Sequence, residues 1–402
     1  MKIIQKFKQT EIGEIPEDWD LVNFGDWVDY SKGFPFKSKD YVENGRRIIR
    51  VSDTTFNEIK DGNEIFIEEK EAKNYKKWEL KEDDLIFSTV GSKPPMYDSL
   101  VGRVVIITPK HQGCLLNQNA VLIRAKNKTK FKQVLLLNNF RTQRYLRYIE
   151  AIFRGNANQA SITLKELFKF QIAIPKSSEE QSCIASVLSD TDALIESLDK
   201  LIAKKKNIKQ GTMQELLTGK KRLPGFKGEW ENCNFENTWQ KLYPKSKLSS
   251  GDGDPQGDFI LFVSGSENKR IDTLMYQNME ALIFSDGGVF NVRFFKGNFS
   301  VTDHCVTLNL NQNNLFYYYW LTLNQQNLDL QTFKGSGLRN LNKKELAKVE
   351  VPKPSPEEQS AIASVLSDMD AEIEQLERKR DKVKLLKIGM MQELLTGRIR
   401  LK

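Results

Sequence analysis

The side chains best suited to catalysis are few and scattered. His111 and His304 are the two histidines, with no HExxH, CxxC or His/Cys cluster around either. Metal-ligand spacing is therefore missing. Ser92 and Ser285 stand outside any histidine–carboxylate context that would make them nucleophiles. There is no GxxxxGK[ST] turn to cradle a nucleoside triphosphate. The glycine-rich stretch Gly251-Asp-Gly-Asp-Pro-Gln-Gly257 puts Asp252 and Asp254 where phosphate would be repelled, and reads as a loop. Lys93-Pro94-Pro95-Met96-Tyr97 has the outline of the Asn/Asp-Pro-Pro-aromatic motif of DNA amino-methyltransferases. Lys93 stands where that motif needs an acceptor, so a proline-rich loop with Lys93 free for phosphate is the better reading. The chain is predicted to be non-catalytic.

Chemistry suited to nucleic acid is better represented. Lys32, Phe36 and Lys37 share one short segment; Arg46 and Arg50 follow, then Arg141 and Arg144. Arg154, Asn156, Asn158 and Gln159 form one polar glycine turn, and Lys334, Ser336, Arg339 and Asn340 form a second. Arg270 and Arg293 add cations between them. Arg and Lys can bond guanine edges, and Asn and Gln adenine edges, while other cations hold phosphates and set register. The overall balance agrees: 61 Lys+Arg against 53 Asp+Glu gives a net charge of +8. That moderate excess favours a polyanionic partner.

These residues must be positioned by a long internal repeat. Glu179–Leu223 and Glu357–Leu401 align without a gap at an offset of 178, with 29 of 45 positions identical. Each copy reads as one long helix, here termed a rod. Ile184, Val187, Leu194, Leu198 and Leu201 supply a heptad-spaced apolar stripe in rod 1. Ile362, Val365, Leu376, Val383 and Leu386 supply it in rod 2. Ser177 or Ser178 can cap the first helix and Ser355 the second. Gly219 and Gly397 fall where a helix-terminating glycine belongs. Gly211 and Gly389 lie inside the pattern and are expected to allow a bend or a close helix approach. The basic run Lys200–Lys209 is open to two readings, solvated helix surface or a track along DNA.

The repeat divides the chain into a globular head at 1–176, a rod at 177–219, a second head at 220–353 and a second rod at 354–402. The heads read as mixed α/β. Strands are predicted at Arg47–Ser52, Asp84–Thr89 and Gly102–Thr108, and at Phe259–Val263, Ala281–Ser285 and Cys305–Leu308. Helices are predicted around Val134–Tyr148 and Leu315–Leu323. Both heads open near a tryptophan, Trp19 and Trp230, and close with a polar glycine turn, a short helix and a strand ending at Pro175 or Pro352. One fold, duplicated and then diverged, explains this.

A rod of about 40 residues is ~60 Å long, whereas a head of roughly 130 residues has a radius of gyration of about 14 Å. Head 2 joins the end of rod 1 to the start of rod 2, so those ends must be neighbours. Antiparallel rods and an internal pseudo-two-fold repeat follow, giving an α+β chain of two mixed α/β heads and two long antiparallel coiled-coil helices. Duplex DNA has its own two-fold symmetry, and paired readers engage separated half-sites. Unlike heads imply unlike half-sites. Cys114, Cys183, Cys233 and Cys305 are far apart, which predicts a reducing compartment and no disulfide framework. No apolar run approaches ~18 residues, and the first ten residues lack the pattern of a signal peptide, so no membrane association is expected.

The doubled motifs carry a family resemblance. Glu180-Gln181 and Glu358-Gln359 are each followed by Ile-Ala-Ser-Val-Leu-Ser-Asp-x-Asp, ending at Asp192 and Asp370. Met213-Gln-Glu-Leu-Leu-Thr-Gly219 recurs at 391–397. With the order head–rod–head–rod, the whole chain resembles the specificity (S) subunit of type I restriction–modification systems. The resemblance implies that the heads are target-recognition domains and the rods spacers. It implies double-stranded DNA read as a bipartite asymmetric site, two adenine methyltransferase (M) subunits and translocating, cleaving restriction (R) subunits. S-adenosylmethionine, ATP and Mg would belong to those partners, none to this chain. DNA methylation, phage defence and a prokaryotic cytoplasmic setting would follow. One competing reading is an S subunit whose methyltransferase and nuclease are fused in one partner. Another is a two-headed protein-binding adaptor that ignores DNA.

Overall fold

A computed structural model describes residues 6–55, 58–93, 96, 99–156, 159–265, 267–335, 337 and 339–401. The backbone groups into two compact units. The first is Met1–Ser197 with Lys379–Lys402, and the second is Leu198–Arg378. Each unit therefore holds one head, the first part of the rod that follows it and the last part of the other rod.

Both rods are single helices of 39 residues, Ser178–Leu216 and Pro356–Leu394. Ser177 and Ser355 accept a hydrogen bond on Oγ from the amides of Glu180 and Glu358, each at 3.3 Å. Gly219 and Gly397 follow the helices at φ of +70° and +69°, a conformation that disfavours any side chain. Gly211 and Gly389 do not mediate a close approach, because a Cβ at either would meet nothing within 4 Å.

Head 1 is built on an antiparallel sheet in the order Val28–Lys32, Ala120–Ala125, Leu85–Ser88, Val104–Ile106. Alternation along these strands serves two cores. Leu85, Phe87, Val121 and Ile123 pack on one side with Phe24, Leu136, Phe140 and Phe170. Ile86, Val105 and Leu122 pack on the other with Leu80 and Leu116. Burial on both faces explains why the strands read as continuous apolar runs. A smaller sheet joins Leu115–Leu116 in parallel to Arg46–Ile49, which pairs antiparallel with Ile65–Ile67.

The predicted helix around Val134–Tyr148 is two helices, Lys130–Asn139 and Gln143–Ile152. The break is chemical: Thr142 caps the second helix by accepting from the Tyr145 amide at 3.2 Å. The predicted strands at Arg47–Ser52 and Gly102–Thr108 are shorter than expected, while Ala281–Ser285 is the end of a longer strand, Tyr276–Ser285.

Head 2 carries a six-stranded sheet ordered Trp239–Leu242, Cys305–Leu310, Tyr276–Ser285, Val292–Val301, Phe259–Phe262, Lys269–Ile271. Leu282, Phe284, Val306 and Leu308 pack beneath the helix Asn314–Leu323, while Ala281, Ile283, Phe299 and Val301 face the other way. In both heads a strand at the opening tryptophan pairs antiparallel with the last strand. Trp19–Asn23 lies against Gln171–Pro175, and Glu231–Asn234 against Glu350–Lys353. That pairing delivers each chain directly to the start of its rod.

Candidate nucleic-acid interface

The ends of the rods form two equivalent docking sites, one per unit. In the first, Ile184, Ala185 and Leu188 of rod 1 share a buried cluster with Met391, Leu394 and Leu395 of rod 2 and with Trp19, Val134 and Leu135 of head 1. In the second, Ile362, Ala363 and Leu366 cluster with Met213, Leu216 and Leu217 and with Phe316 and Tyr317 of head 2. Every rod residue in one cluster corresponds to one in the other at the offset of 178.

Charge repeats the pattern. Arg222 grips buried Glu358 with two nitrogens at 2.5 Å, and the Trp230 indole N–H donates to the same carboxylate at 2.9 Å. Arg400 grips Glu180 and also donates to Asp18 at 2.7 and 2.8 Å, and the Trp19 N–H donates to Glu180 at 3.3 Å. Hydrogen bonds donated to the carboxylates hold both guanidiniums above their ordinary pKa.

Further along, Lys387 donates to Asp192 at 2.7 Å, and Lys209 to Asp370 at 2.5 Å. Each aspartate also meets its head: Arg141 lies 3.8 Å from Asp192, and the Tyr319 hydroxyl donates to Asp370 at 2.7 Å. Lys205 pairs with Glu372 and Lys206 with Glu377, at 2.6 and 2.7 Å. With Lys209 on Asp370, this order makes the rod segments antiparallel within that unit. The pairing lysines of the run Lys200–Lys209 thus face the other rod.

Sequence reasoning recognised the doubled motifs but missed these pairings. The signal was available. Glu180, Asp192, Lys209 and Arg222 each recur unchanged 178 residues later, and each pairs with a partner from the opposite copy.

Many cations expected at a DNA surface instead support the fold. The Phe36 ring is buried, 5.0 Å from both Phe34 and Tyr75. Arg46 bonds Glu69 and the Gly113 carbonyl, and Arg50 bonds Asp53 at 2.8 Å. Arg141 packs half-buried against the rod, and desolvation pulls its pKa down. Arg144 lies 4.2 Å over the Phe170 ring and donates to the Gln171 carbonyl, with burial lowering its pKa to about 10.

In head 2, Arg270 donates to the carbonyls of Gly257 and Asp258 at 2.6 and 2.5 Å. Arg293 donates to Val263 and Asn268 and covers Phe262. Arg339 holds Asp329 at 2.9 Å and donates to two carbonyls that close its turn. A planar guanidinium with five donors is well suited to such internal bracing.

The rod stripe is likewise only partly buried. Ile184, Leu198 and Ile362 are buried; Val187, Val365, Leu376 and Val383 are half-buried; Leu194, Leu201 and Leu386 are exposed. Burial concentrates where rod ends meet a head.

What remains outward is a smaller set. Lys32, Lys37 and Arg154 are exposed in head 1, and Lys93 is half-exposed. Lys334 and Asn340 are exposed in head 2. The two polar glycine turns are equivalent hairpins. Arg154–Asn156 pairs antiparallel with Gln159–Ser161, and Phe333–Lys334 with Asn340–Leu341. Asn158 and Ser336 lie outside the described residues, and of Asn156 and Gln159 only the backbone is described. Among the described residues, no group of His, Cys, Asp and Glu could hold a metal. Among the described residues, no helix is long and apolar enough to cross a membrane.

Comparison with known proteins decides the family. The profile of the type I restriction modification DNA specificity domain matches residues 16–210 and 230–385. The chain belongs to that family. A Methanocaldococcus jannaschii protein named as the specificity subunit of type I restriction enzyme MjaX is 26% identical, over 99% of this chain and 97% of its own length. The fold resembles a type I restriction–modification S subunit from M. genitalium, with a TM-score of 0.65 and 15% identity, covering 97% of this chain and 98% of that one. It also resembles a chain from a structure describing complex assembly and conformational transition of the type I R-M system. That match has a TM-score of 0.52 and 14% identity, and covers 96% and 99% of the two chains. As a type I specificity subunit, the chain has a role in DNA sequence specificity. The two matched segments correspond to the two heads with their adjoining rods.

Proposed function

We propose that the chain reads a bipartite, asymmetric DNA site and directs separate adenine methyltransferase and translocase/nuclease subunits to it. The observation that carries this reading is the contrast between docking and display. Both heads meet rod ends through equivalent contacts, Trp230 on Glu358 and Trp19 on Glu180. Their outward hairpins differ: Arg154 is displayed by one, Lys334 and Asn340 by the other. Equivalent mounts with unlike readers suit two unlike half-sites.

Partner subunits have a surface available on the rods. Leu385, Leu386 and Ile388 are 71%, 59% and 55% exposed within a single turn of rod 2. Exposed leucines on a helix that ends in a tightly packed site suit a further apolar helix from a methyltransferase subunit. In this reading S-adenosylmethionine, ATP and Mg are bound by the partners.

Electrophoretic shift of the chain with its methyltransferase partner tests the proposal. A duplex carrying both half-sites should be bound in preference to one with either half scrambled. Arg154→Ala and Lys334→Ala should each weaken one half only. Equal loss at both halves from either substitution would refute separate readers.

A further inference from the structure

The strand Trp239–Leu242 at the edge of the six-stranded sheet leads into a segment that sequence motifs did not single out. Residues 243–248 border an open cleft of about 490 Å³, whose apolar floor is formed by Tyr243, Met275 and Tyr276. The rim carries Lys241, Lys245 and Lys247, all exposed, and no acidic residue lines the cleft. Among the described residues none of the three lysines forms an ion pair, whereas Lys296 and Lys334 of the same head do.

The segment is fixed rather than draped. The Tyr243 amide donates to the Thr307 carbonyl at 3.0 Å, and the Leu248 carbonyl accepts from the Asp303 amide at 2.7 Å. Between them Ser246 is buried, its hydroxyl donating to the Met275 sulfur at 3.4 Å and accepting from the Leu248 amide at 3.0 Å. Tyr243 packs edge-on against Tyr276 at 5.1 Å, and the Lys241 ammonium sits 4.6 Å from the Tyr243 ring centre.

The cleft also lies close to the hairpin proposed to read bases. Leu248 bonds Asp303, His304 accepts from the Asp286 amide, and Asp286 accepts from the Leu341 amide. Three such steps of ~5 Å, with one residue step from Asp303 to His304, put Leu248 within roughly 20 Å of the hairpin. That is within one turn of duplex, ~34 Å. The corresponding loop of head 1 also borders a cleft, lined by Phe34, Pro35 and Tyr75. There Lys37, Lys39 and Lys70 are balanced by Asp40, Glu68 and Glu71. The unbalanced positive cleft is thus a property of head 2.

We propose that this cleft is a DNA-backbone contact of head 2. Lys241, Lys245 and Lys247 neutralise successive phosphates, and the tyrosine floor packs against the sugars between them. The contact is independent of sequence and holds the duplex while the hairpin reads base edges. This rests on the DNA-reading proposal above.

The test uses the chain bound to its methyltransferase partner, with fluorescence anisotropy on matched and scrambled duplexes across a salt series. Each phosphate contact contributes about 0.9 to the slope of log affinity against log salt. Combining K241Q, K245Q and K247Q should lower the slope by about 2–3 on both duplexes and leave their affinity ratio within about threefold. The corresponding triple arginine variant should restore the slope. An unchanged slope in the glutamine variant would overturn the proposal. So would loss of methyltransferase association with an unchanged slope, which would assign the cleft to a protein partner. If the unsubstituted complex shows no salt-sensitive duplex binding, the DNA-reading proposal itself fails, and the two failures are distinguished.

Discussion

Lys387 and Asp192 are 195 residues apart in sequence and form an ion pair of 2.7 Å. The lysine side chain is 9% exposed and the aspartate 39%. Its counterpart, Lys209 on Asp370, has a lysine that is 19% exposed. The same pair therefore sits deeper in one unit than in the other. Burial lowers the Lys387 pKa despite the aspartate.

Removing Asp192 should consequently cost more than removing Asp370. Asp192→Ala leaves a buried ammonium beside Arg141. A cost of about 2–3 kcal/mol is expected, below the ~3–5 of a fully buried pair because Asp192 is partly solvated. Asp370→Ala should cost about half as much. Hydrogen exchange of the amides near Leu188 and Leu366 reports the two units separately. Equal deprotection would contradict the difference in burial.

Arg400 meets two carboxylates of unequal exposure: Glu180 is 4% exposed and Asp18 is 60%. Double-mutant cycles should give a coupling above ~1 kcal/mol for Arg400 with Glu180 and below ~1 kcal/mol for Arg400 with Asp18. Arg400→Lys should recover little, since one ammonium cannot make the forked contact. Thermal unfolding of the single and double variants measures this.

Asp84 predicts an acid transition in head 1. Its side chain is fully buried, with Arg124 at 2.5 Å and Lys128 at 2.7 Å. Burial opposes the charged form, but hydrogen bonds from Arg124, Lys128 and the Lys81 amide together hold the carboxyl below its ordinary pKa. An unfolded carboxyl titrates near ~3.9. Between the two values the unfolded chain binds more protons. The stabilisation is full above about pH 4 and is lost as pH falls through the lower folded value. Circular dichroism on acidification should show a step that is diminished in Asp84→Asn.

Rod length is testable once the insertion point is chosen from structure. Gln214–Leu217 is unsuitable, because Leu216 and Leu217 are buried in the head 2 docking cluster. Duplicating Lys204–Asn207, away from both clusters, should add ~6 Å of helix. At ~3.4 Å per base pair, the gap between half-sites should grow by one or two pairs. An unchanged gap would show that the rods do not set it.

The rods were legible because their signals are local. Ser177, Ser355, Gly219 and Gly397 each act within one helical turn, and repetition doubled the signal. The strand Leu85–Ser88 was legible because it is apolar on both faces. The interface was legible only in part. Arg339 and Arg141 look alike in sequence, yet one closes a turn on Asp329 and the other packs on a rod. Exposure of an arginine depends on partners brought from other elements, which no local pattern records. Leu194 and Leu386 kept the heptad register but not burial, since register specifies a face and not what covers it.

Methylated-base sequencing of host DNA, with and without this gene, tests the central proposal most directly. Loss of one motif with two unlike short halves and a fixed unread gap is predicted. In the Arg154→Ala strain one half should relax, and in the Lys334→Ala strain the other. Loss of a continuous motif, or no change in any methylated motif while the methyltransferase partner is active, would contradict two-headed reading.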